Sequence, residues 1–100
     1  MVVINPGTGV PECYIQAADV IVTFESTLSA YNSYTADSWN GNYPTSRFWH
    51  IIYSVPQSSL DSTYAKSQNN YAGYVFITDD SGSNPYDQNP SYLSEELALL

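Results

Sequence analysis

Apolar residues dominate the segment at positions 18–25, which reads Ala-Asp-Val-Ile-Val-Thr-Phe-Glu. Both faces of an extended chain would be largely apolar here, which is typical of a parallel strand covered on both sides. The polar group that ends the segment is the carboxylate of Glu25. Because ligands bind at the carboxyl ends of strands in α/β proteins, the pattern predicts a buried strand that delivers Glu25 to a site.

The remaining pattern alternates short apolar runs with longer segments of helical character. Polar loops separate several of them, at 35–47 and 79–89. The order strand–helix, repeated, favours an α/β fold with a parallel sheet of about four strands and right-handed crossovers. We predict strands at 2–5, 18–25, 48–55 and 73–78, and helices at 11–17, 26–34, 58–70 and 91–100.

Such crossovers place all the helices on one face of the sheet and leave the other face to be closed by something else. A complete (β/α)₈ barrel takes about 250 residues. The chain has 100 residues. We therefore expect positions 1–100 to form a single partial domain, half of a TIM barrel, with open edges at its first and last strands.

The composition excludes several classes of partner. Ten acidic residues against two basic ones give a net charge of −8, so the chain lacks the basic patch that nucleic acids or anionic membranes require. No segment has the ~20 apolar residues of a membrane span. Cys13 is the single cysteine, which excludes an internal disulfide, and we expect it to be partly buried and inert. The acidic, lysine-poor composition is compatible with secretion, although the first residues do not have the pattern of a signal peptide.

Polar side chains follow the predicted strands at the ends where a parallel sheet binds ligands. Glu25 is a candidate catalytic carboxylate, or alternatively a solvated acid at a helix start. Asn5 either binds a polar group of a ligand or braces the following turn, and Tyr53 either contacts a ligand or fills the core. Of the adjacent pair Asp79 and Asp80, at most one can enter a site directly, and either could cap the next loop instead.

Two further residues are candidates for a role, and Glu25 has a second possible one. Trp39, in the long loop, is a candidate aromatic platform for a ligand or a cover for the sheet edge. His50, near the start of its strand, is expected to be structural. Glu25 could instead join Asp79 and Asp80 in a divalent-cation site, but their spacing matches no recognised metal loop.

Several motifs in series resemble one known family. They are Val-Val-Ile-Asn-Pro-Gly-Thr at 2–8, the segment at 18–25, Gly-Tyr-Val-Phe-Ile-Thr-Asp-Asp at 73–80, Asn-Pro-Tyr-Asp at 84–87 and Pro-Ser-Tyr at 90–92. Together these resemble the spherulation-specific family 4 (spherulin 4-like) proteins, which are fungal, slime-mould and bacterial (β/α)₈ barrels. The resemblance implies that the chain corresponds to the C-terminal half of that barrel.

The resemblance also implies a function, because members of this family include secreted, endo-acting hydrolases of N-acetylgalactosamine-containing polysaccharide such as galactosaminogalactan. It makes Glu25 a catalytic carboxylate, with no cofactor and no metal. The partner Asp-Glu pair would come from an earlier strand that this chain does not contain, so the chain alone is expected to be inactive. Tyr53 stands where the family commonly has histidine. The implied substrate-binding residues are Asn5, Tyr53, Thr78, Asp79 and Asp80. The alternative is a non-catalytic carbohydrate-binding or wall-associated protein of spherulation.

Overall fold

The structure, a computed structural model, describes residues 1–99. Four parallel strands form one sheet in the order β1-β2-β3-β4, so each strand pairs with its neighbour in sequence. This confirms the predicted α/β fold class with a parallel four-stranded sheet. The strands are β1 (Val3–Ile4), β2 (Val20–Thr27), β3 (Phe48–Tyr53) and β4 (Tyr74–Ile77); the helices are α1 (Leu28–Asn32), α2 (Leu60–Asn69) and α3 (Leu93–Leu99).

The three helices pack on the same face of the sheet. Phe24, Ile52 and Ile77 project from β2, β3 and β4 into a buried cluster that Tyr31 of α1 and Leu60 of α2 complete. Leu99 of α3 packs against the same cluster. Burying this apolar surface is the main source of stability for helices as short as these.

The opposite face of the sheet, which we call the open face, carries the alternate residues of the strands. Phe48, His50 and Ile52 are buried towards the helices, whereas Trp49 and Ile51 are only half-buried. The period of two in a strand explains this division. The open face is therefore the face that the described helices leave uncovered.

Strand β2 runs further than the sequence predicts. The sequence predicts that it ends at Glu25, but it continues to Thr27. The Thr27 side-chain Oγ1 accepts a hydrogen bond from the Ala30 amide at 3.2 Å and caps α1. The pairing of β2 with β3 shifts register between Val22 and Phe24, which places an extra residue in β2. A bulge of this kind re-aims the side chains that follow it.

Several other boundaries differ from the predicted ones. The predicted helix at 11–17 is a 3₁₀ turn, Glu12–Gln16, and α1 has five residues in place of the predicted nine. Leu100, where the last predicted helix ends, lies outside the described residues. Cys13 is exposed, so the expectation that it is partly buried is wrong. None of the helices among residues 1–99 is long and apolar enough to cross a membrane.

Candidate functional site

Glu25 lies near the carboxyl end of β2 on the open face. Its neighbour Phe24 packs towards the helices against the Tyr31 ring, with 4.6 Å between ring centroids. Successive strand residues point to opposite faces, so the Glu25 side chain is directed away from the helices. The Glu25 amide donates to the carbonyl of Gly7 at 3.1 Å, and the Gly7 amide donates to the Val22 carbonyl at 3.1 Å. These bonds tie the turn after β1 to β2 around Glu25.

Both oxygens of the Glu25 carboxylate accept hydrogen bonds from side chains. The Asn5 amide Nδ2 donates to Oε1 at 2.7 Å. The Tyr86 hydroxyl donates to Oε2 at 2.8 Å. Asn5 follows β1, whereas Tyr86 comes from the loop after β4 and is 61 residues away in sequence. The fold therefore holds the carboxylate in one orientation from two directions.

A cleft of about 460 Å³ opens beside this carboxylate, and we call it the Glu25 cleft. Asn5 and Tyr53, two of the candidate binding residues, both line it. Its lining consists of the turn at positions 5–7, Glu25 and Tyr53 from the strands, and Ser83, Pro85 and Tyr86 from the loop after β4. The lining combines a carboxylate, an amide, hydroxyls and aromatic rings, which are groups able to bind sugar hydroxyls and the faces of sugar rings.

A second cleft of about 330 Å³ adjoins the first on the open face. Glu25 and Tyr86 belong to both clefts, and the rest of the second lining is apolar: Trp49, Ile51 and Phe76. Glu25 thus sits at the boundary between a polar cleft and the apolar open face. Barrel interiors of parallel strands are filled by layers of such side chains.

Tyr53 and Tyr86 meet edge to face beside Glu25. Their ring centroids are 6.1 Å apart with an interplanar angle of 87°. Tyr86 also lies 6.2 Å from the Phe76 ring. Partial burial and the hydrogen bond to the Glu25 carboxylate hold the pKa of Tyr86 above its usual range. The phenol therefore remains a protonated donor at neutral pH.

Three predicted binding residues at the end of β4 do not line the Glu25 cleft. Thr78 is fully buried, and its Oγ1 accepts from the Asp80 amide at 3.1 Å. Asp79 accepts hydrogen bonds from the amide and the hydroxyl of Ser91, which hold the pKa of its carboxyl below the usual range. The structure therefore assembles Glu25, Asn5 and Tyr53 but not these residues, whose contact with substrate stays a prediction.

Asp80 bonds within its own loop. Its Oδ1 accepts from the Ser81 amide at 2.8 Å. Interaction with the Asp87 carboxyl lowers the pKa of Asp80 and raises that of Asp87. Across residues 1–99 no group of three metal-binding side chains is close enough to hold an ion. The cation site considered from sequence is thus not assembled in the described part of the chain.

Trp39 lies at the other end of the sheet. Its ring packs edge to face on Phe48, at the start of β3, and on Tyr43, with centroid distances of 5.7 and 5.9 Å. It therefore covers the core near the amino ends of the strands and does not line the Glu25 cleft. Of the two interpretations, the structure favours the cover.

His50 is fully buried between α1 and the sheet, as expected of a structural residue. Hydrogen bonds join its Nδ1 to the Tyr31 hydroxyl at 2.8 Å and its Nε2 to the Thr23 hydroxyl at 3.1 Å. Burial lowers the pKa of His50 to about 4. The imidazole is therefore neutral at pH 7 and faces away from the Glu25 cleft.

Tyr86 is the site residue that sequence reasoning missed. It lies in a loop without hydrophobic periodicity, so no strand or helix pattern could direct it to Glu25. A signal was present in the Asn-Pro-Tyr-Asp motif at 84–87. Asn84 Oδ1 accepts from the Tyr86 amide at 3.2 Å, and Pro85 is buried. An Asn side chain that bonds the backbone two residues on is a known way to order a loop.

The fold and the sequence of this chain are similar to those of known proteins. The fold is similar to that of Aspergillus clavatus Sph3, whose crystal structure contains GalNAc, with a TM-score of 0.72 and 25% sequence identity. The match covers 97% of this chain and 40% of Sph3, so the chain spans less than half the length of that protein. No curated protein matched the chain. The model of the spherulation-specific family 4 matches residues 1–100, and the chain therefore belongs to that family.

Proposed function

We propose that this chain is the C-terminal half of a (β/α)₈ glycoside hydrolase that cleaves N-acetylgalactosamine-containing polysaccharide, and that Glu25 is one of its two catalytic carboxyls. The observation that carries the proposal is the Glu25 carboxylate, held at the carboxyl end of a parallel strand beside a cleft of about 460 Å³. Membership of the family and the GalNAc bound to Sph3 support the choice of substrate.

Glycoside hydrolysis needs a second carboxyl across the scissile bond. The two carboxyls lie about 5–5.5 Å apart in retaining enzymes and about 6.5–9.5 Å apart in inverting enzymes. In the described part of the chain, Glu25 is the one carboxylate that lines the cleft. The partner, an Asp-Glu pair in our proposal, would come from a strand outside this chain, so residues 1–100 alone would not hydrolyse the polymer.

The hydrogen bonds of Glu25 support one of the two catalytic roles for it. Asn5 and Tyr86 both donate, so the carboxylate acts as an acceptor at both oxygens, as an ionised carboxylate does. We assign the base or nucleophile to Glu25 and the general acid to the partner carboxyl. The Tyr53 ring, which lines the same cleft, would contact a sugar ring.

Completion of a barrel accounts for the open face. Trp49, Ile51 and Phe76 line an apolar cleft there, and further strands would bury it. Strands β1 and β4 are the edges of the sheet, where such strands would pair. The 40% coverage of Sph3 is consistent with a chain that supplies part of a longer fold.

A chimaera tests the proposal. The 40% of Sph3 that matches this chain is replaced by residues 1–100, and release of reducing ends from galactosaminogalactan is measured. We expect activity in the chimaera and a loss of more than about 10³-fold in kcat for Glu25→Gln. The matched control is Glu95→Gln, an exposed acid on α3. A Glu25→Gln rate near that of the unsubstituted chimaera would reject the assignment.

A non-catalytic carbohydrate-binding or wall-associated protein of spherulation is the second candidate. The presence of one carboxylate in the cleft lining favours it, because binding needs no second carboxyl. GalNAc oligosaccharides added to the 100-residue chain would then shift the NMR signals of Asn5, Tyr53 and Tyr86. Binding of this kind together with no hydrolysis by the chimaera between pH 4 and 9 would favour this candidate over the enzyme.

Secretion remains a prediction from the acidic, lysine-poor composition. A polysaccharide of the cell wall or matrix is an extracellular substrate, so the proposed function agrees with it. Detection of the protein in culture medium by mass spectrometry would test it directly.

A further inference from the structure

The loop after β4, residues 79–89, brings one side chain to the Glu25 carboxylate. We propose that Tyr86 is a positioning residue for Glu25, whose hydroxyl fixes the carboxylate in the orientation needed for attack on the sugar. This inference rests on the proposed function and adds a role for a residue outside the sheet. The observation behind it is the 2.8 Å hydrogen bond from the Tyr86 hydroxyl to Oε2.

Tyr86 is itself fixed, although it belongs to a loop. Its ring packs against Tyr53 of β3 and Phe76 of β4. Its amide is held by Asn84, and the preceding Pro85 is buried. The two aromatic contacts set the ring and therefore the place of the hydroxyl. A phenol held in this way loses little freedom when it donates to Glu25.

The geometry leaves Glu25 free to react. Each carboxylate oxygen has two lone pairs. Asn5 uses one on Oε1 and Tyr86 uses one on Oε2, so each oxygen keeps one for the substrate or a water molecule. Tyr86 therefore holds the carboxylate without blocking it.

Electrostatics support a donor role for Tyr86. The titratable groups that face its hydroxyl are Glu25 and Tyr53, and together with burial they raise the pKa of Tyr86. A raised pKa keeps the phenol protonated at every pH where a glycosidase of this kind would work. Tyr86 is thus a permanent donor and Glu25 its acceptor.

The first experiment needs no catalysis. Tyrosine ¹³Cζ signals of the 100-residue chain are titrated by NMR, and Tyr86→Phe identifies the signal of Tyr86 among the ten tyrosines. In the unsubstituted chain this signal should titrate at a pH above the usual range of tyrosine, and Glu25→Gln should move its titration to lower pH. A Tyr86 titration that Glu25→Gln leaves unchanged would overturn the proposed contact.

The second experiment uses the Sph3 chimaera and separates positioning from packing. Tyr86→Phe keeps the ring and removes the hydroxyl, so we expect kcat to fall about tenfold or more with little change in KM. Losing a donor to a carboxylate disfavours its ionised form, so the acidic limb of the pH–rate profile should move to higher pH. Tyr14→Phe should match the unsubstituted chimaera.

The outcomes distinguish this inference from the function on which it rests. Loss of activity in Glu25→Gln together with an unchanged rate and pH profile in Tyr86→Phe would overturn the role of Tyr86 and leave the function intact. Full activity in Glu25→Gln would overturn the function and with it any catalytic role of Tyr86. In that case the NMR titration still decides whether the two side chains are joined.

Discussion

The Asn5 side-chain amide donates to Glu25 Oε1 at 2.7 Å and joins the end of β1 to the carboxylate on β2. Parallel pairing of Val3 with Val20 and of Ile4 with Ile21 sets the distance between the two residues. The contact is therefore a product of strand register. It connects the first strand of the sheet to the proposed chemistry.

Substitution of Asn5 should affect activity according to what replaces the amide. Asn5→Ala removes a donor, and we expect kcat of the Sph3 chimaera to fall about tenfold or more. Asn5→Asp sets a negative charge against Glu25, so we expect a larger loss than for alanine. Asn32→Ala, at the exposed end of α1, is the matched control. Equal rates for Asn5→Asp and the unsubstituted chimaera would contradict the contact.

Gly7→Ala should disturb the same region through the backbone. Gly7 has a φ of +69°, which alanine adopts only with strain, and its carbonyl accepts from the Glu25 amide. We expect the free energy of unfolding to fall by more than about 1 kcal/mol. Gly82, with a φ of +94° and open space around it, is the control. Chemical denaturation should show a loss in both variants, whereas the NMR signals of Glu25 and Asn5 should shift only in Gly7→Ala.

Trp39→Ala tests the difference between a core cover and a sugar platform. Because the ring packs on Phe48 and Tyr43, we expect the free energy of unfolding to fall by about 2 to 3 kcal/mol. Binding of GalNAc oligosaccharides to the folded variant should be unchanged. Tyr53→Ala, in the Glu25 cleft, should show the reverse effect, a loss of binding. Weaker binding in Trp39→Ala than in Tyr53→Ala would contradict this assignment.

The sequence predicts the sheet well because strand order follows from local patterns. A short run that is apolar on both faces, with the strand–helix order, is sufficient to place Glu25 near the end of a parallel strand. The register shift between Val22 and Phe24 leaves no trace in a single sequence, because it depends on how two strands pair. Strand β2 also ends later than predicted, at Thr27.

The site is only partly predictable for a related reason. Asn5 and Tyr53 follow strands, so the rule for parallel sheets finds them. Tyr86 reaches Glu25 across 61 positions through a loop, and Asp79 is held by Ser91 of the segment before α3. Neither contact follows from spacing. Long-range side-chain bonds from loops require coordinates.

His50 supplies a prediction about pH and stability. Burial lowers its pKa to about 4 in the folded chain, whereas an unfolded chain has the usual value of 6.5. Between these values the unfolded state binds a proton that the folded state does not. The free energy of unfolding is therefore highest above pH 6.5. It falls by up to about 3 kcal/mol as the pH is lowered towards 4, because the unfolded chain gains a proton on His50. Denaturant unfolding followed from pH 7.5 to 4 measures this loss.

Glu96 changes the free energy of unfolding with pH in the opposite direction to His50. Its contribution must therefore be removed from the denaturation measurement. It is buried, with Oε1 accepting from the Ile77 amide at 2.7 Å, and burial raises the pKa of its carboxyl. A raised carboxyl pKa adds stability at low pH that is lost as the pH rises. The loss of stability on acidification should thus be steeper in Glu96→Gln than in the unsubstituted chain. Because His50 is the single histidine, its imidazole NMR signals report its titration without ambiguity, and a midpoint near 6.5 in the folded chain would contradict the prediction.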